Sequence, residues 1–181
     1  GDLDQRGIGD VKTLTVEEYH QRSRWGRLLY RAYRHPIVMF GIGPTYLFLL
    51  TNRIPWSDFS QKKDWISAMG TNLAIAILLT IIVKFGGWQA LFFVFLPTTL
   101  IAATTGVWLF YVQHQFETTH WEEHHDWQVH EAALHGSSHY DLPSILQWFS
   151  ANIGIHHVHH LYSRIPFYRL TEVLRDHEEL A

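Results

Sequence analysis

Four imidazoles crowd into five positions at His156-His157-Val158-His159-His160, and Asn152 stands one helical turn upstream. At about 100° per residue, positions 152, 156, 159 and 160 fall on one face of a helix, so three imidazoles and an amide point the same way. Neutral imidazole is the commonest nitrogen ligand for iron, zinc and copper. An i, i+3, i+4 array on a rigid helix also lowers the entropy of gathering ligands. His157 points elsewhere and is read as a group that supports the ligands rather than one of them. The plain alternative is a solvated, histidine-rich helix end that holds no metal. The 181 residues contain no cysteine, which excludes thiolate zinc sites, iron–sulfur clusters and disulfides; a metal here is held by nitrogen and oxygen.

The elements that must carry these groups are of two kinds. The mean hydropathy near zero averages long apolar runs with polar segments. Residues 66–85 and 88–112 are long enough to cross a bilayer, which takes roughly twenty residues, with Gly86-Gly87 as a tight turn between them and Pro97 and Gly106 kinking the second. Residues 36–50 are apolar but shorter, with Gly41, Gly43 and Pro44 inside, and read as a re-entrant or interfacial segment. Two crossings return the chain to its starting side. Arg22, Arg24, Arg27, Arg31, Arg34, Arg53, Lys62 and Lys63 then share one face with the histidine-rich end, against Lys84 near the turn, and the positive-inside rule makes that face cytoplasmic. Eight Trp, eight Tyr and eleven Phe suit membrane interfaces, while a net charge of −3 gives no polyanion-binding signature, so no nucleic acid partner is expected.

Residues 1–35 begin as a polar loop. Thr15-Val16-Glu17-Glu18 reads as a capping box that opens a helix from Val16 to Tyr33, with Trp25, Leu28 and Leu29 beside the arginines. Such a helix lies on a membrane surface with its arginines toward headgroups; the alternative is a solvated basic face. Trp56 to Trp65 is a polar connection. Residues 113–181 are soluble in character. His114 leaves the second apolar run directly, which sets it at the membrane–water boundary. Asp141-Leu142-Pro143 opens a helix running through Asn152 to about Tyr162, and Thr171 to Leu180 forms a short amphipathic helix.

These residues carry a resemblance to the membrane fatty acid desaturases, most similar to the bacterial and plant delta-12 or omega-6 type. His156-x-x-His159-His160 with the tail Leu161 to Leu170 resembles the third histidine box of that family. Gln113-His114, Gly136 to Pro143, Asn152 to Ile155 and the opening Gly1 to Asp10 are similar to it as well. The resemblance covers nearly the whole chain and is most specific over residues 152–170. It implies an all-α integral membrane enzyme with a cytoplasmic, histidine-rich helical cap, in which three histidine boxes hold two Fe ions. It further implies O2 as cosubstrate, an acyl-lipid or acyl-thioester substrate that gains a cis double bond, and electrons from ferredoxin or cytochrome b5. The ligands it implies are His114, His156, His159 and His160, with Asn152 reaching metal through water and His157 beside the ligands.

Two features depart from the pattern. His120-x-x-x-His124-His125 imitates a histidine box but follows the apolar runs, whereas the family's second box precedes them. His120, His124, His125, His130, His135 and His139 are therefore read as surface or supporting residues. The first two boxes and a first pair of spans are also missing, and the chain starts without Met. It is read as the C-terminal part of a desaturase, holding about half a site and inactive alone. The competing readings are a membrane di-iron hydroxylase or ketolase, a non-enzymatic histidine-rich membrane metal-binding protein, and an inactive truncated remnant.

Overall fold

A computed structural model of the chain describes residues 2–4, 6, 11–55 and 61–180. Most of the opening from Gly1 to Asp10, and residues 56–60 of the connection from Trp56 to Trp65, lie outside the described residues. The described chain is helical and contains no β-strand; its extended pairings are two isolated bridges, Asp2 with Glu122 and His139 with Ile155. It divides into two compact units, Val16–Trp108 and the pair Gly1–Thr15 with Leu109–Ala181.

In the unit Val16–Trp108, the single helix expected from Val16 to Tyr33 is two, α1 (Val16–Gln21) and α2 (Arg24–Tyr33). The break has a local cause: the Ser23 hydroxyl accepts from the Gly26 amide at 3.1 Å and caps a new helix start. The apolar segment 36–50 is a π-helical stretch, Ile37–Ile42, running into α3 (Gly43–Leu49). The Thr104 hydroxyl donates to the Phe40 carbonyl at 2.8 Å, which ties that stretch to the later apolar helix. Arg53 and Asn72 clasp each other: the guanidinium donates to the Asn72 side-chain oxygen at 3.2 Å, and the Asn72 amide donates to the Arg53 carbonyl at 2.8 Å. One polar side chain in an apolar helix is thereby satisfied by the loop before it.

The long apolar elements are α4 (Lys62–Gln89), a π-helical turn Ala90–Phe95, and α5 (Leu96–His114). They follow one another as a helical run of 53 residues, Lys62–His114, long and apolar enough to cross a membrane, and its most apolar stretch has no buried residue. Leu73, Phe85, Phe93 and Ile101 each expose more than half of their surface. Helices apolar on every side and unburied by their own chain have the length and composition of membrane-crossing ones. At 1.5 Å per residue, 53 residues hold about 80 Å of helix, more than the roughly 30 Å of one hydrocarbon core. The run is interrupted at Gly87, the second glycine of the Gly86-Gly87 pair, whose φ of 71° and ψ of 177° are open to glycine alone. The π-helical turn immediately precedes Pro97, where the missing amide disturbs the helical ladder; Gly106 leaves α5 unbroken.

The second unit packs the polar remainder around α6 (Val129–His135), α7 (Ser144–Phe149), α8 (His156–Leu161) and α9 (Leu170–Asp176). The helix expected from Asp141 to Tyr162 is interrupted. Residues 150–155 form a turn in which Ala151 and Asn152 take φ of 55° and 52°, so Asn152 does not continue the face of His156. Two ties hold this turn in place. Backbone Tyr140 donates to the Gly154 carbonyl at 2.8 Å, and the Gln113 side chain donates to the Ile153 carbonyl at 2.9 Å. Val158 and Ile155 then enter a small core with Leu170, Ile165, Val173, Leu174 and Leu180. Burying the Val158 face of α8 sends His156 and His160 the opposite way, with His159 at the flank.

Candidate metal centre

His114 ends α5, whereas His156 and His160 lie one turn apart on α8. Their Nε2 atoms nonetheless meet. His114 is 3.2 Å from His156 and 3.0 Å from His160, and His156 is 3.0 Å from His160. The three rings meet nearly edge to face, with interplanar angles of 80–85°. His156 is buried, His114 half-buried and His160 exposed.

The protons on these rings decide what the cluster can hold. His114 Nδ1 lies 2.9 Å from the Phe110 carbonyl, which can only accept, so that nitrogen carries the hydrogen and the neutral ring presents a bare Nε2. Each imidazole nitrogen is either a donor or an acceptor, never both. Three nitrogens in mutual contact cannot alternate, so at least one pair must be alike and repel. A cation among three lone pairs removes the conflict. Nitrogens at neighbouring corners of a six-coordinate ion, each bonded at about 2.1 Å, stand about 3.0 Å apart, which is the spacing observed. The donor set is nitrogen-only and suits iron, zinc or copper.

The electrostatics keep the lone pairs available. Burial, and then the neighbouring His114, His160, His159 and His157, push the His156 pKa down to about 3. Burial followed by His114 and His159 takes His160 down to about 4. Both are neutral throughout the physiological range.

Not every residue read from the spacing joins this convergence. The His159 ring is stacked 5.6 Å from that of His156 at 27°, beside the three nitrogens rather than among them. His157 is buried on another side of α8; its Nε2 donates to the Leu180 carbonyl at 2.7 Å, and its ring is 5.3 Å from His139. Burial lowers its pKa, opposed by the Leu180 bond. Asn152 donates to the Phe167 carbonyl at 2.9 Å. His120, His124, His125 and His135 stand against carboxylates: Glu122 at 2.7 Å, Asp2 at 2.8 Å, Asp126 at 3.0 Å and Glu131 at 3.5 Å.

Gln113 is the residue that spacing alone passes over. It is 2% exposed, its side chain holds the Ile153 carbonyl and its own carbonyl accepts from Ser138 at 2.9 Å. It thus fastens the turn before α8 to the residue next to His114. A polar side chain ending a long apolar helix beside a candidate ligand was the available signal.

Comparison with known proteins identifies the family of the chain's relatives. A sequence profile described as fatty acid desaturase matches residues 2–181. A protein of Bacillus subtilis (strain 168) named fatty acid desaturase is 47% identical over 177 residues, which cover 98% of this chain and 50% of that one. The chain therefore spans about half the length of the curated relative it matches. No solved structure matches it.

Proposed function

The chain belongs to the fatty acid desaturase family, and we propose that it forms one wall of a di-iron centre that desaturates acyl chains at the edge of a membrane. The observation that carries this reading is the convergence of the His114, His156 and His160 Nε2 atoms at 3.0–3.2 Å. On this reading those three hold one iron, and His159, next to them but outside the convergence, serves the other. Four nitrogen donors fall short of what two ions require, so the remaining ligands come from outside these 181 residues. The present chain alone is then inactive.

Bound iron, with O2, supplies the oxidising power that removes two hydrogens from an unactivated acyl chain, which acid–base side chains cannot do. The protein's own contribution is to fix donors and their protons. Phe110 holds the His114 hydrogen on Nδ1 and so aims a bare Nε2 at the site. Burial keeps His156 neutral and hence able to bind. Gln113 and Tyr140 set the turn that aims α8.

The family is membrane-associated, and the helical run Lys62–His114 is long and apolar enough to cross a bilayer. We place two crossings in it, 66–85 and 88–112, reversing at Gly87, with residues 36–50 re-entrant and the histidines on the cytoplasmic side. A site at that boundary meets an acyl-lipid or acyl-thioester substrate and a soluble donor, ferredoxin or cytochrome b5, at once. The decisive experiment replaces His160 by Ala, and separately His159 by Ala, in the complete protein. Iron content and the unsaturation of product acyl chains are then measured. Loss of bound iron together with double-bond formation is expected for each; full activity in either variant overturns that residue's assignment.

A further inference from the structure

Helix α2 has a sharper division of character than anything else in its unit. At 100° per residue, Arg24, Arg27, Arg31 and Arg34 fall within one quarter of its circumference, and Trp25, Leu28, Leu29 and Tyr33 take the opposite side. The apolar side is bare: Trp25 is 74%, Leu29 69% and Leu28 54% exposed. Arg24, Arg27 and Arg31 stand in no ion pair among the described residues. Between Glu18 and Asp58 the sequence holds six arginines and no acidic residue. Arg31 donates to the Tyr19 hydroxyl at 2.6 Å and lies 5.8 Å over its ring, a contact that orients the charge without cancelling it.

We propose that α2 is a docking surface for the anionic leaflet of a membrane, with Trp25, Leu28 and Leu29 in the acyl boundary and Arg24, Arg27 and Arg31 on lipid phosphates. Two observations select a lipid surface over a protein partner. The bare apolar face and the positive charge of Arg24, Arg27 and Arg31 lie side by side on one short helix, which complements an anionic bilayer surface. The exposed apolar face also continues into Ile37, Ile42 and Leu49, so bare apolar surface extends onto the next segment of the same chain. This holds whether or not the metal centre desaturates.

The test exploits the absence of cysteine from these residues. Leu29→Cys is introduced into the complete protein, any cysteine elsewhere being changed to serine, and spin-labelled in nanodiscs. One set contains phosphatidylcholine alone; the other carries about 30% phosphatidylglycerol, where each arginine contributes about fivefold to surface partition. In the anionic discs the label should collide with oxygen and be shielded from a water-soluble nickel chelate. Nickel collisions should rise several-fold in neutral discs, in high salt, and in the Arg24→Gln/Arg27→Gln variant. The lipid and salt arms need no change to the arginines, so misfolding of that variant cannot decide the outcome. A label equally open to nickel in both discs means a solvated face and overturns the proposal. A label immobile and shielded in both, whatever the lipid charge, means that protein covers α2 and overturns it equally.

Discussion

Gln113 offers a sharp test of how the site is held, because a single near-isosteric change, Gln113→Leu, removes one hydrogen bond and little else. The side chain is 2% exposed and donates to the Ile153 carbonyl at 2.9 Å, while the backbone bond from Ser138 to the Gln113 carbonyl is untouched. Leucine leaves the Ile153 carbonyl without that donor, a cost of about 1–3 kcal/mol. The cost falls on a turn already loaded by left-handed Ala151, unfavourable by about 1–2 kcal/mol, beside left-handed Asn152, a residue type that tolerates that conformation. Relaxation of that turn moves the start of α8, and with it His156. Metal affinity should then fall about tenfold to a hundredfold, the range seen when groups that orient ligands are lost. The assay is a cobalt titration of the complete protein after iron is stripped by a chelator, followed by the visible absorption of bound cobalt. Hydrogen exchange at residues 153–157 should quicken in parallel, with helix content unchanged. Gln113→Glu sets a carboxylate against the same carbonyl and should be worse than leucine. If the leucine variant binds cobalt as the parent does, or the glutamate variant matches the parent, this tie does not position the site.

Two further outcomes are expected. In metal-free protein the His156 pKa lies at about 3 when folded against 6.5 ordinarily; the unfolded chain takes up the proton first, so stability is full above pH 6.5 and falls as pH drops from there toward 3. Near 1.4 kcal/mol per pH unit, about 2 kcal/mol should be gone by about pH 5. Hydrogen-exchange protection of α8, corrected for intrinsic rates, reads this directly, and a pH-independent protection would contradict it. Gly154→Ala places a methyl group against the Tyr140 carbonyl oxygen, a backbone atom that cannot swing aside. A loss of about 1–3 kcal/mol is expected from overpacking, measured by thermal unfolding in detergent; an unchanged midpoint would mean that the two backbones separate without cost.

What could be read from residue types alone was what periodicity and glycine encode. The i, i+3, i+4 spacing places the three histidines on one side of α8, and the Gly86-Gly87 pair marks the interruption of the long apolar run. The failures have physical causes. Periodicity of arginine and leucine across Val16–Tyr33 hid the cap that Ser23 makes. Nothing in Ala151 announces a left-handed residue; the turn there is imposed by Gln113 and Tyr140, ties that reach across 40 residues in the first case. A helical wheel also fixes the direction of a Cβ and not the rotation of a ring, so it could not show that His160 joins His114 while His159 stands beside them.

The site unites donors that are far apart in the chain. His114 is separated by 42 residues from His156 and by 46 from His160. An ion bound by all three is therefore a cross-link as well as a reagent. Closing a loop of that length costs the chain roughly 3 kcal/mol of entropy, and a bound ion would hold it closed in the manner of a disulfide, in a sequence that has no cysteine to make one. The supply of that ion would then govern how long this chain survives proteolysis, before any question of turnover arises.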